Sequence, residues 1–253
     1  MSIHAMSNPD IKKRLWTAVL LAGLVGGGPT LAAGHAASAS AENWTSANLR
    51  KALDAMPAGD AERGRELNQT LFCVSCHGSE GVAPSMNWPH LAGQKADYTI
   101  KMMLDYQSGL RHEGLRARLM HHVAVLVSAQ EIADLAAFYA SLPAPVEAET
   151  PRPEVRLAAS DLPAEVLVRK GDPTRLITPC ASCHGATGEG GRREAPELAG
   201  QNPMYFVRTM HDYHDGVRAN DGKKTMRAFA YRLTPAEIDD LANYYADLPL
   251  SSL

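Results

Sequence analysis

A five-residue motif occurs twice in this chain and uses every cysteine it has. Cys73-Val74-Ser75-Cys76-His77 and Cys180-Ala181-Ser182-Cys183-His184 both read C-x-x-C-H, and the 253 residues contain four cysteines. The spacing has a chemical reason. Two thiols three positions apart can form thioethers to the two vinyl groups of one haem, and the histidine that follows then lies under the iron. A redox dithiol would sit in a βαβ pattern, which neither motif shows. A shared zinc site would need ligands much closer together, whereas Cys76 and Cys180 are more than a hundred residues apart. Two covalent haem c groups, one per half, are the expectation. They constrain the fold because each short half must wrap its own cofactor.

The halves are copies. With an offset of 107 residues, Cys73 falls on Cys180, His77 on His184 and Pro89 on Pro196, and Leu91-Ala92-Gly93-Gln94 repeats as Leu198-Ala199-Gly200-Gln201. Tyr98 matches Tyr205, Asp105-Tyr106 matches Asp212-Tyr213, and Gly109 and Arg111 match Gly216 and Arg218. One residue is then lost, so that Met120 falls on Met226 and Glu131-Ile132 on Glu237-Ile238. Residues 42–145 read as a first haem domain and 161–253 as a second. The Pro-, Glu- and Ala-rich stretch 146–160 between them reads as an extended linker.

Each copy reads as all-α. A helix is expected after Gly59-Asp60 and another from a cap at Asp97 to about Ser108, with Ile100, Met103, Leu104 and Gln107 on one face. Asn202-Pro203 is a natural helix start. Ser128-x-x-Glu131 and Thr234-x-x-Glu237 are capping boxes for the last helix of each copy. Each copy has few aromatic residues and buries little surface alone, so haem should complete its core.

The first 41 residues look like a secretory leader. Lys12, Lys13 and Arg14 precede an apolar Leu15–Val25 stretch, and Ala37-Ser38-Ala39 and Ala39-Ser40-Ala41 offer cleavage sites. Cleavage and export to the periplasm are preferred to an uncleaved anchor, because Pro29 and the glycines shorten the apolar run. Beyond residue 41 there are 22 basic and 27 acidic side chains, a net charge of about −5. That is the wrong sign for a nucleic-acid footprint.

His77 and His184 supply one axial bond to each iron. The repeat narrows the search for the sixth ligand to Met120/Met226 and Met103/Met210. The helical spacing of Met103 and Met210 suits core filling. Met120 and Met226 follow irregular polar stretches, Gly109–Arg118 and Gly216–Thr225, which are expected to form loops over the distal haem face. His112, His121, His122, His211 and His214 are rivals without a histidine partner in the other copy. Pro89 and Pro196 stand twelve residues after each axial histidine, where a carbonyl can accept its Nδ1–H and raise its basicity. Arg111, Arg116, Arg118, Arg218, Lys223, Lys224 and Arg227 flank the methionines and are expected as positive rims for acidic partners.

The order C-x-x-C-H-G, P-x-L-A-G-Q, Tyr, G-x-R, Met and a capped final helix resembles the class I cytochromes c. Its duplication behind a leader is similar to the periplasmic di-haem cytochrome c4 type, over about residues 58–143 and 165–249. The resemblance implies two all-α haem domains related by a pseudo-twofold, propionates near their interface, and electron delivery to terminal oxidases. The expected function is one-electron carriage with no bound substrate, from a quinol-oxidising complex or dehydrogenase to a terminal oxidase, with room for peripheral membrane association. The alternatives are a di-haem enzyme of peroxidase or thiosulfate-oxidising type, which needs an iron with an open position, and a dedicated cytochrome subunit of a dehydrogenase.

Overall fold

Why the final helix of each copy starts where it does is visible in its cap. Ser128 Oγ accepts from Glu131 N at 3.3 Å while the Glu131 carboxylate accepts from Ser128 N at 2.8 Å. Thr234 and Glu237 make the same exchange at 3.2 and 2.8 Å. Two of the backbone N–H groups a helix start leaves unpaired are satisfied this way, which stabilises each start by about 1 kcal/mol.

The computed structural model describes residues 42–143, 162–191 and 195–248. The expected leader, residues 1–41, and the expected linker, residues 146–160, lie outside the described residues. The first copy contains α1 (Ser46–Asp54), α2 (Ala61–Thr70), α3 (Val74–His77), α4 (Ala96–Ser108), α5 (Gly114–Ala124) and α6 (Ala129–Ser141). The second contains α7 (Ala164–Arg169), a 3-10 turn at Pro173–Arg175, α8 (Ala181–His184), α9 (Pro203–His214), α10 (Thr225–Ala230) and α11 (Pro235–Ala246). Among the described residues there is no strand, only an isolated bridge between Asp172 and Ile177. No single described helix is long and apolar enough to cross a membrane.

Each copy has its own core. Leu49, Ile132, Ala136 and Phe138 are buried in the first, and Leu167, Val168, Ile238 and Leu241 in the second. Full burial of each large side chain stabilises its domain by about 1.5–3 kcal/mol. Helices α2 and α6 cross at Gly64, where an added Cβ would lie 2.1 Å from the Asp134 carbonyl oxygen and 2.6 Å from Phe138 Cβ. Only glycine permits that approach. Arg63 on α2 locks the crossing by donating Nε and Nη2 hydrogen bonds, both 2.9 Å, to the Asp134 carboxylate on α6.

Three elements differ from the sequence expectation. Asp97 does not cap α4. The cap position is Lys95, which makes no side-chain cap bond, and Asp97 lies in the first turn, where its charge still favours the positive helix end. Residues 114–118, expected as loop, open helix α5. That helix buries only the small Ala117 and Ala124 and leaves Leu115 75 % exposed, so apolar spacing does not mark it. Finally, α1 has no counterpart in the expected elements. It is capped by Thr45 with Asn48 and packs Leu49 and Leu53 inward.

Candidate haem-binding site

Each C-x-x-C-H motif forms a single helical turn. Cys73 is the N-cap of α3 and Cys180 that of α8, so the two sulfurs and the histidine of each motif are neighbours at i, i+3 and i+4. Each turn is stopped by a glycine in the left-handed region, Gly78 at φ 78° and Gly185 at φ 84°, a conformation that side chains rarely adopt. The chain then runs back so that a proline carbonyl meets the histidine. His77 Nδ1 lies 3.1 Å from the Pro89 carbonyl oxygen, and His184 Nδ1 lies 3.0 Å from that of Pro196. A carbonyl only accepts, so each Nδ1 carries the proton and Nε2 keeps a lone pair for a metal. Burial lowers the pKa of both imidazoles, against the opposing pull of the proline carbonyls, and keeps them neutral. Burial also pushes the Cys73 thiol up, and Cys180 up to about 11, the reverse of a reactive redox dithiol.

A cavity of about 870 Å³ takes in both motifs. Cys73, His77 and Met120 line it from the first copy, and Cys180, His184 and Met226 from the second. Met103 and Met210 also reach its wall, as does Cys183, whereas Cys76 does not. None of the rival histidines lines it. His121 Nδ1 instead bonds the Tyr106 carbonyl at 2.6 Å, His112 Nδ1 bonds that of Gly109 at 3.1 Å, and His214 faces Asp215. Paired thiols, a neutral imidazole with a free nitrogen and thioethers in the lining fit a covalently held haem.

The cavity wall also fits the acid groups of a haem. Arg218 is 1 % exposed, and its Nη1 has no hydrogen-bond partner among the described residues. Its other nitrogens donate to neutral groups: Nε to Asn220 Oδ1 at 3.0 Å, and Nη2 to Tyr98 Oη at 3.2 Å and Met102 Sδ at 3.4 Å. A buried guanidinium with a spare N–H is costly unless an anion meets it. Its counterpart Arg111 is also buried, but bonds the Glu113 carboxylate. Burial opposes ionisation of Glu113, yet Arg111 and Arg218 together hold its pKa below the ordinary range.

Comparison with known proteins agrees with this geometry. Residues 61–143 match the family model described as cytochrome c, and residues 177–244 match that of cytochrome C oxidase, cbb3-type, subunit III. Cytochrome c4 of Thiocapsa roseopersicina is 33% identical over 192 residues, which are 75% of this chain and 93% of that protein. The crystal structure of reduced recombinant cytochrome c4 from Pseudomonas stutzeri superposes with a TM-score of 0.64 at 30% identity, covering 76% of this chain and all of that one. This chain belongs to the cytochrome c4 family. As a cytochrome c4 family member it carries two covalently bound haem c groups, and it is an electron-transfer protein rather than an enzyme. A further relative, the thiosulfate dehydrogenase electron acceptor of Stutzerimonas stutzeri (strain A1501), is 30% identical over 213 residues, 81% of this chain and 95% of that one.

One expectation about the cytochrome c4 surface needs correction. Arg111 and Arg218 do not belong to an exposed positive rim. Both are interior, each over a tyrosine ring, at 4.5 Å from Tyr106 and 4.6 Å from Tyr213. Arg227 is tied to Asp221 at 2.6 Å. Arg116, Arg118, Lys223 and Lys224 stay exposed. Sequence reasoning also missed a polar cluster between the copies. Lys101 Nζ bonds Asp105 at 2.7 Å and the Asn220 carbonyl at 3.0 Å, Asn220 Nδ2 bonds Asp105 at 2.7 Å, and Trp44 Nε1 donates to the same carboxylate. Lys101 and Asp105 at i, i+4 were a readable signal of a pair, but not of its burial.

Proposed function

We propose that this chain is an exported, periplasmic one-electron carrier that takes electrons from a quinol-oxidising complex or dehydrogenase and passes them to a terminal oxidase. Bound haem iron supplies exchange between Fe(III) and Fe(II). The residues assigned to hold it are Cys73, Cys76, Cys180 and Cys183 as thioether anchors and His77 and His184 as axial ligands. Met120 and Met226 are assigned as the sixth ligands. Pro89 and Pro196 fix the ring orientation and tautomer of the histidines through the Nδ1 hydrogen bonds. Apolar walls and the buried histidines exclude water, and Arg218 offers its unpartnered N–H to an acid group.

The observation that carries this reading is the duplication itself. Each copy brings a buried, Nδ1-anchored histidine and a repeat-matched methionine to one cavity. A thioether that closes the coordination sphere favours electron exchange over substrate binding. The test is the purified holoprotein, reduced and mixed with membranes containing a terminal oxidase. Fast oxidation, with no sustained turnover of peroxide or thiosulfate, is expected. Robust peroxidase or thiosulfate-oxidising turnover would overturn it.

The relative named thiosulfate dehydrogenase electron acceptor favours a dehydrogenase as the donor. On that narrower reading a thiosulfate dehydrogenase with thiosulfate reduces the oxidised protein faster than a quinol-oxidising complex does.

A further inference from the structure

The two Leu-Ala-Gly-Gln repeats meet across the domain interface in a reciprocal clamp. Gln201 of the second domain accepts from the His90 backbone N–H through Oε1 at 2.9 Å and donates through Nε2 to the His90 carbonyl at 3.1 Å. Gln94 of the first domain treats Glu197 identically. Its Oε1 accepts from Glu197 N at 3.0 Å, and its Nε2 donates to Glu197 O at 3.2 Å. Both glutamines are buried, at 6 % and 8 % exposure. Each Oε1 also accepts from the residue after its own, Lys95 N at 3.0 Å or Asn202 N at 2.9 Å, which fixes the rotamer.

What these glutamines hold is not an arbitrary stretch of chain. The His90 N–H belongs to the same peptide group as the Pro89 carbonyl, and that carbonyl accepts from His77 Nδ1. Likewise the Glu197 N–H and the Pro196 carbonyl are two ends of one planar peptide, with His184 on the carbonyl. An unbroken hydrogen-bond chain therefore runs from the side chain of one domain through one peptide to the histidine of the other. Accepting at the N–H end polarises the peptide and makes its carbonyl a stronger acceptor. A stronger acceptor on Nδ1–H raises the basicity of the ring and favours the ferric state of an iron bound at Nε2.

We infer that Gln94 and Gln201 are crossed positioning residues, each setting the ligand strength of the axial histidine in the opposite domain. The inference rests on the reading of His77 and His184 as axial ligands. Both positions tolerate either neighbour chemistry, because the clamp grips only backbone: residue 90 is His and residue 197 is Glu. The arrangement also links interface formation to the redox site. A domain pair that opens loses both clamps together, and both irons shift in the same direction.

The test uses the full holoprotein with Gln94→Leu, Gln201→Leu, Gln94→Glu and Gln201→Glu. Each site's potential is followed through its own hyperfine-shifted proton resonances during redox titration. Gln94→Leu should raise the potential of the His184 site, moving its Fe(III)/Fe(II) equilibrium by about two- to fivefold, and leave the His77 site in place. Gln201→Leu should give the mirror image. The Glu variants keep an accepting oxygen and strengthen it, so they should lower the potential of the opposite site. They also decide the matter if a Leu variant yields no holoprotein. A shift at the same-domain site, equal shifts at both sites, or no shift in the Glu pair would overturn the inference. Failure of the underlying ligand reading shows separately, as absence of hyperfine shifts on the His77 and His184 ring protons of the unaltered oxidised protein.

Discussion

Replacing Asn68 by Leu should destabilise the first haem domain and spare the second. Asn68 on α2 has no exposed surface. Its Nδ2 donates to the carbonyls of Gly78 at 3.2 Å and Ser79 at 3.1 Å, and its Oδ1 accepts from Tyr139 Oη at 2.8 Å. It thus ties the loop that leaves the first C-x-x-C-H turn to α2 and α6. Leu fills a similar volume, so the loss is polar rather than a cavity. The Gly78 carbonyl keeps a long contact from Gly81 N at 3.4 Å, but the buried Tyr139 hydroxyl loses its partner. One stranded hydroxyl costs about 1–3 kcal/mol and the two weakened carbonyl bonds somewhat less, about 2–4 kcal/mol in all. For a domain of about 100 residues that lowers the melting temperature by roughly 10–25 °C. The turn before the second motif is held instead by Arg175 on Asp172 and Glu237, so α7 to α11 should be unaffected. The assay is thermal unfolding of the holoprotein with proteolysis near the midpoint, and the cleavage sites are located by mass spectrometry. Cuts should fall in residues 61–143. Adding Tyr139→Phe removes the stranded hydroxyl and should recover about 1 kcal/mol. Strict additivity of the two substitutions, or equal loss of both domains, would refute the reasoning.

Other expectations concern the irons and the charges around them. Met120→Ala and Met226→Ala should each open one iron, lower its potential and let it bind carbon monoxide. Met103→Ala and Met210→Ala should not, and the absorption spectra with and without carbon monoxide decide it. Arg218→Gln removes a buried positive charge whose own hydrogen-bond partners are neutral, so at least one potential should fall in a redox titration, while exposed Arg116→Gln leaves both unchanged. The Arg63 hydrogen bonds hold Asp134 down to about 2. A depressed carboxylate stabilises the fold above its unfolded pKa, and that stability is lost as pH falls from about 4 through 2. With the exposed Arg63 screened by solvent it amounts to about 1 kcal/mol, and Asp134→Asn should flatten this part of the acid-unfolding curve.

What the sequence disclosed and what it withheld divide along one line. The haem motifs and the two capping boxes are local patterns, each written in residues within a turn or two of one another, and the duplication repeats them at a nearly fixed offset. The features it hid depend on which surfaces of the two copies meet. Arg111 and Arg218 look like surface charge in any single-chain pattern, yet the second copy covers the first and buries both. Helix α5 carries its buried face on alanines and presents leucines outward, so hydrophobic spacing gives it no signature. Residues 42–57 carry no element expected from the sequence, yet Trp44 reaches Asp105, and Asn43 donates to the Ala219 carbonyl of the second domain at 2.6 Å. Thr45-x-x-Asn48 followed by Leu49 and Leu53 was the available clue to that helix.

The duplication also shows which contacts tolerate divergence. Contacts that grip backbone are kept in both directions, as with Gln94 on Glu197 and Gln201 on His90. Contacts that depend on charge have separated. Arg111 pairs with the Glu113 carboxylate, whereas Arg218 meets the Asn220 amide at the matching position. Lys101 reaches the Asn220 carbonyl and an aspartate, whereas Arg208 reaches the Asn87 carbonyl at 2.9 Å. One half of the interface therefore holds a neutralised arginine and the other an arginine without a carboxylate on its hydrogen-bonding nitrogens. A symmetric pair of haem sites placed on such an interface cannot have equal electrostatic surroundings, because the charge term scales inversely with the low interior dielectric. Two unequal potentials then follow from a single substitution between copies, Glu113 against Asn220. Glu113→Gln removes the carboxylate that neutralises Arg111 and should bring them closer, and a redox titration that finds the gap unchanged would place its origin elsewhere.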